Sequence, residues 1–119
     1  MTDVQNVLRA FGITRCYKGF KHTAYAVSLA VQDESRLEAI TKEVYMETAE
    51  HFGCKWTAVE RNIRTVVSRA WSVNPDLLCQ MAGYPLYLEP SASQFIEIVS
   101  CYLIRSHKPQ PTPRPLDMP

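Results

Sequence analysis

With 119 residues, 46% of them hydrophobic, the chain has the size and content of one globular domain with one core. A formal net charge of +1 lacks the basic balance of a typical nucleic-acid binder, so any such role has to come from how charge is distributed. Asp3 and Arg9 break up the N-terminus as a signal or transit peptide, and the apolar residues 24–31, interrupted by Ser28, fall far short of the roughly 20 that span a membrane, so the expectation is a soluble, cytoplasmic protein without membrane partners.

Taken in chain order, the punctuation is helical. Thr2 and Gln5 have capping-box spacing and Gly12 closes a first helix. A second, over about 20–32, places Phe20, Ala24, Val27 and Val31 on one face. A third, over about 35–52, uses Leu37, Ile40, Val44, Ala49 and Phe52 in the same way, and Gly53 ends it. After Cys54, Lys55 and Trp56, a fourth helix opens with Thr57 as N-cap and Glu60 at the third helical position of a capping box; its apolar stripe is Val59, Ile63, Val66 and Ala70. Asn74 followed by Pro75 caps a fifth helix that runs through Leu77, Leu78 and Met81 to Gly83. Pro85 and Pro90 hold a loop open, and Ser91 with Gln94 makes a further capping box for a last helix burying Phe95, Ile98, Val99 and Tyr102 or Leu103. No segment alternates like a strand, so the fold class is all-α: six helices over residues 1–107, with residues 108–119, rich in proline, as a disordered tail.

The cysteines, Cys16, Cys54, Cys79 and Cys101, form no C-x-x-C pair and have no histidine at zinc spacing, so they read as buried or half-buried thiols rather than a metal site. The histidines His22, His51 and His107 are scattered and read as surface residues; no nucleophile, base and orienting group can be assembled from spacing, and no cofactor motif is present, which argues against an enzyme. Tyr45 and Trp71 read as core aromatics, whereas Trp56, in a turn, is harder to bury.

Charge is segregated. Residues 33–50 hold two cations against six anions, and residues 55–71 hold Lys55, Arg61, Arg64 and Arg69 against the single anion Glu60. The basic segment coincides with a helix-turn-helix pattern: Ala49 is small where two helices cross, Gly53 relieves the backbone where the chain reverses, and Val59 docks the second helix. At 100° per residue Arg61 points away from the Val59 stripe, with Thr57, Arg64, Thr65 and Ser68 around it. An outward face of arginines and small hydroxyls just after a tight turn suits entry into a DNA major groove, where Arg takes guanine O6 and N7 together and Glu60 would meet a cytosine amino group. The DNA-contact set read from the sequence is Lys55, Thr57, Glu60, Arg61, Arg64 and Thr65.

The run T-A-V-E-R-N-I-R over 57–64, with Ala70 and Trp71 after it, resembles the recognition helix of the stage-zero sporulation response regulators. Gly19-Phe20, Ala26-Val27, Thr41-Lys42, Tyr45, Ala49, Phe52, Phe95-Ile96 and His107 fall where that family has comparable residues, and the similarity runs from about Leu8 to His107. The resemblance implies a six-helix effector domain that binds short operator boxes in double-stranded DNA, often as a tandem pair, and touches RNA polymerase sigma factors. Two positions depart from the family. Ala58 stands where an arginine reads a guanine, and Thr65 where a histidine reaches the backbone. The reading expects no receiver domain ahead of the effector, and hence no aspartyl phosphorylation within the chain. A second reading stays open: a domain that keeps the fold, has lost base reading, and binds a full-length regulator or a sigma factor. Ala58 favours it; Glu60, Arg61 and Arg64 favour DNA.

Overall fold

The computed structural model describes residues 2–107, so the proposed tail over 108–119 lies outside the described residues. Among these residues there are six α-helices and no strand: α1 (Thr2–Ala10), α2 (Lys18–Gln32), α3 (Met46–Phe52), α4 (Trp56–Val73), α5 (Pro75–Ala82) and α6 (Ala92–His107). The helical N-terminus includes Thr2, whose side chain, half of the expected Thr2–Gln5 capping pair, lies outside the described residues.

α2 runs through the middle of the molecule. Ten of its fifteen residues are buried, from Gly19 and Phe20 to Leu29 and Ala30, because it packs against both α4 and α6. Small side chains make that possible: Gly19, Ala24, Ala26, Ser28 and Ala30 let neighbouring helices approach where a leucine would hold them off. Phe11, at the end of α1, meets Phe95 of α6 edge to face at 6.2 Å, closing the core from the other side. Ile63, Val66, Val67, Leu78, Phe95, Ile96 and Val99 are fully buried, each stabilising the fold by about 1.5–3 kcal/mol through area removed from water.

The helix expected over 35–52 is three pieces. Asp33, not Ser35, starts it: its carboxylate accepts from the Ser35 backbone N–H at 3.2 Å and from the Ser35 hydroxyl at 2.6 Å, bonds that hold its pKa below the ordinary value. A 3-10 turn over Glu34–Ala39 follows, then a π-helical turn over Thr41–Tyr45, in which the Met46 N–H reaches back to the Thr41 carbonyl, and only then α3. Arg36 folds over this join, donating to the Glu43 carbonyl at 2.6 Å. The extra residue in the π turn shifts the helical phase, so that Val44, Tyr45, Thr48 and Ala49 turn inward while Leu37 and Ile40 are only half-buried. The period-3.6 reading saw one stripe because apolar residues continue on both sides of the join.

The last two helices follow the sequence closely. The Asn74 side chain accepts from the Leu77 N–H at 3.1 Å, with Pro75 at the first helical position. Ser91 and Gln94 form a reciprocal capping box, Gln94 N–H to Ser91 Oγ at 3.2 Å and Ser91 N–H to Gln94 Oε1 at 3.0 Å. Leu103 takes the buried position at the end of α6, and Tyr102 packs partly buried beside it.

Two expectations about side chains are corrected. Cys16 and Cys54 are exposed, and only Cys79 and Cys101 are half-buried; all four are free thiols. His22 is not a surface residue but is buried on α2, as the packing of α2 between two helices requires. Among the described residues no helix is long and apolar enough to cross a membrane.

Candidate nucleic-acid interface

The turn between α3 and α4 is built as its residue types require. Gly53 has φ 69° and ψ 40°, the left-handed region, and the Cys54 N–H reaches the Ala49 carbonyl at 3.0 Å while the Gly53 N–H takes that of Glu50 at 3.3 Å, a Schellman closure. Ala49 is 5% exposed and Val59 0%, so the small residue sits at the crossing and the valine docks α4 behind it. α4 then runs for 18 residues with Val59, Ile63, Val66, Val67 and Ala70 buried along one side.

The start of α4 differs from the sequence reading. Lys55 is the N-cap, in extended conformation with no side-chain cap bond, its carbonyl accepting from the Ala58 and Val59 N–H groups. Thr57 is therefore the second residue of the helix, and Glu60 makes no capping box with it. Glu60 reaches forward instead and pairs with Arg64 one turn on, Nε to Oε1 at 3.0 Å. The physical reason is that Trp56 already takes helical geometry, which moves the cap to Lys55 and the free N–H groups two residues earlier than a Thr57 cap could serve.

The outward side of α4 carries the residues expected to meet DNA. Lys55, Thr57, Arg61, Arg64 and Thr65 are exposed and Glu60 is half-buried, and Thr57, Glu60, Arg61 and Arg64 line one groove beside the N-terminal half of the helix. Arg61 extends from the side opposite the buried stripe. The Thr65 hydroxyl donates to the Arg61 carbonyl at 3.3 Å, a local bond. Ser68, further along, donates to Glu89 at 2.7 Å and so ties the 84–90 loop to the C-terminal half of α4. That carboxylate limits the cationic surface to the first half of the helix. Arg69, counted with the basic segment, lies beside Gly12 at the end of α1 and away from the surface that holds Arg61.

Three features of this site were not read from the sequence. A groove of about 520 Å³ runs beside α4, lined by Trp56, Thr57, Glu60, Arg61 and Arg64, by Tyr45 of the π turn, and by Ser91 to Ser93 at the start of α6. The Ser91 capping box marked a helix start, but nothing in the sequence placed that start next to two arginines. Tyr45 is buried as expected, yet its hydroxyl has no hydrogen-bond partner; burial, with a contribution from the Glu60 carboxylate, pushes its pKa up to about 12, so it stays protonated and remains a donor. On the opposite side of α4, Asn62 Nδ2 lies 3.2 Å from His22 Nδ1, tying the helix to α2.

The family described as sporulation initiation factor Spo0A, C terminal, matches residues 4–103. The chain belongs to this family. It is a family of helical DNA-binding effector domains of a response regulator, concerned with transcription regulation and sporulation, and not one of enzymes; DNA binding is therefore the general function of this domain. The match covers all of α2 to α5 and most of α1 and α6, so it includes the turn at Gly53, the whole of α4 and the groove wall at Tyr45 and Ser91. Ala58, where the resemblance puts an arginine in the Spo0A C-terminal family, is the third residue of α4 and half-buried.

Proposed function

We propose that this domain is a sequence-specific transcriptional regulator whose α4 enters the major groove of double-stranded DNA. Lys55, Thr57, Glu60, Arg61, Arg64 and Thr65 form the contact surface. The observation that carries the reading is the division of α4 into a fully buried stripe and an exposed side where Arg61 and Arg64 stand within one turn of each other, directly after the Gly53 turn. Arg61 makes the base contact, because an arginine fork matches guanine O6 and N7. Lys55 and Thr57, at the helix start, meet backbone phosphates, which a helix N-terminus attracts. Ala58 offers a methyl group where a reading arginine would donate, so the domain discriminates weakly at that base pair.

Binding to tandem boxes as a pair, contact with a sigma factor and action in the cytoplasm are parts of the same proposal, supported by the family resemblance. Selection of bound duplexes from a random pool, followed by sequencing, tests it. A short recurring box with one relaxed position is the expected result; recovery of no preferred sequence from a folded protein rejects base reading.

A specific observation favours a second reading, a protein-interaction module. Tyr87 and Leu88 in the loop before α6 are 84% and 81% exposed, an apolar pair turned to solvent. In that reading Glu60 and Arg64 stay paired with each other and the surface of α4 is merely solvated. The same selection experiment separates the two.

A further inference from the structure

The groove beside α4 holds more than the recognition surface needs. One wall is the start of α6, a 16-residue helix whose capping box occupies the N–H groups of Ser91 and Gln94 and leaves those of Ala92 and Ser93 at its open, partly positive end. The other wall carries Arg61 and Arg64. Between them the one carboxylate is Glu60, spent on Arg64 at 3.0 Å. Independently, Tyr45, 3% exposed, lines the same groove, and its buried hydroxyl has no partner and lies within electrostatic reach of the Glu60 carboxylate. A buried donor left unpaired is unfavourable, and its presence beside a carboxylate engaged elsewhere points to a second arrangement of these side chains.

We propose that this groove seats one backbone phosphate of the bound duplex, held by Arg64 and the open N–H groups of Ala92 and Ser93 while Arg61 reads the base beside it, with the Tyr45 hydroxyl receiving the Glu60 carboxylate as Arg64 turns to the phosphate. The inference rests on the DNA-binding reading and adds a positioning residue and a contact outside the recognition helix. Its logic is electrostatic. A phosphodiester entering the groove would be repelled by a free Glu60 and attracted by a free Arg64, so the ion pair has to open for the phosphate to bind well. Tyr45 makes that opening favourable, because it offers the released carboxylate a hydrogen bond in a region of low dielectric and draws it back from the phosphate. Ser93, beside the helix end, closes the seat.

Fluorescence anisotropy with a labelled mixed-sequence duplex, read across a salt series, tests the seat. Ser93→Asp puts a carboxylate into it. Affinity should fall about tenfold or more, and the slope of log affinity against log salt should flatten by about 0.9, the contribution of one phosphate. Thermal stability should hold or rise, since an acid in the first turn of α6 is favourable. Tyr45→Phe should weaken binding about threefold to tenfold when Glu60 is present and leave it unchanged in a Glu60→Gln background, the non-additivity that marks a coupled pair. This second comparison stands whatever the aspartate does to folding. A duplex bound by the wild type but bound equally, with an equal slope, by Ser93→Asp overturns the seat and leaves the DNA reading intact. A loss on Tyr45→Phe that persists beside Glu60→Gln overturns the role of Tyr45. A wild-type protein that binds no duplex overturns both the seat and the reading on which it rests.

Discussion

Gly19 of α2 lies directly against the backbone of α4 at Asn62: a Cβ at position 19 would overlap the Asn62 carbonyl oxygen and stand 2.6 Å from Val66 Cγ2. This crossing fixes the tilt of α4 on the core and hence the direction of its outer face. Gly19→Ala should destabilise the domain by about 1–3 kcal/mol or more, because the neighbour that would have to give way is backbone, not a flexible side chain. Gly53→Ala should cost about 1–2 kcal/mol for a different reason, the left-handed backbone, since nothing stands within 4 Å of its added methyl. Chemical denaturation of the two variants checks the order: Gly19→Ala the less stable.

His22 makes stability depend on pH. Burial, with the charge of Lys21, holds its pKa below the ordinary 6.5, and the neutral ring accepts from the Asn62 amide on Nδ1. The unfolded chain therefore binds a proton at His22 that the folded chain refuses. The contribution of His22 is fully present above about pH 6.5 and is lost as pH falls from there through the lower folded value. Urea midpoints from pH 8 to pH 5 should decline more steeply for the wild type than for His22→Gln. Parallel curves would show that His22 does not couple to folding.

Asn74, Pro75, Ser91, Gln94 and Gly53 act through bonds to their near neighbours in the chain, so their roles were legible, and with them the all-α class and the helix-turn-helix. Ala49 and Val59 were legible because the turn fixes their relation. The π turn at Thr41–Tyr45 was not, since its phase shift depends on what α2 and α4 present to Val44 and Tyr45. Thr57 misled for a local reason: a good capping residue two positions past the cap looks the same in sequence as one at the helix edge. Gly19 stands just before the helix expected over about 20–32, and no local pattern announces its close approach to Asn62, a contact 43 positions away. The groove between α4 and α6 joins segments that only the fold brings together, and no local pattern at Ser93 or Tyr45 announces it.

Ala58 gives a test of how α4 is aligned with its target. Ala58→Arg should add a bidentate contact worth about 1–3 kcal/mol, a preference of roughly one to two orders of magnitude for a duplex with guanine at the matching base pair. Position 58 is the third residue of α4 and lies three residues from Arg61, so the new side chain emerges from a neighbouring face of the same turn. The comparison uses two duplexes that differ only at that base pair. Equal gains on both would mean that the added arginine meets phosphate alone.

The central claim, that the outer surface of α4 binds DNA, is tested most directly by duplex affinity measured by fluorescence anisotropy across a salt series, for the wild type and for Arg61→Ala. Arg61 is exposed, so its removal should shift stability by less than about 0.5 kcal/mol. The wild type should bind at low salt, with log affinity falling linearly against log salt by about 0.9 per phosphate neutralised, and Arg61→Ala should bind more weakly at every salt concentration while melting at the same temperature. A folded wild-type protein that binds no duplex at low salt, or an Arg61→Ala variant that binds as tightly as the wild type, would contradict the account.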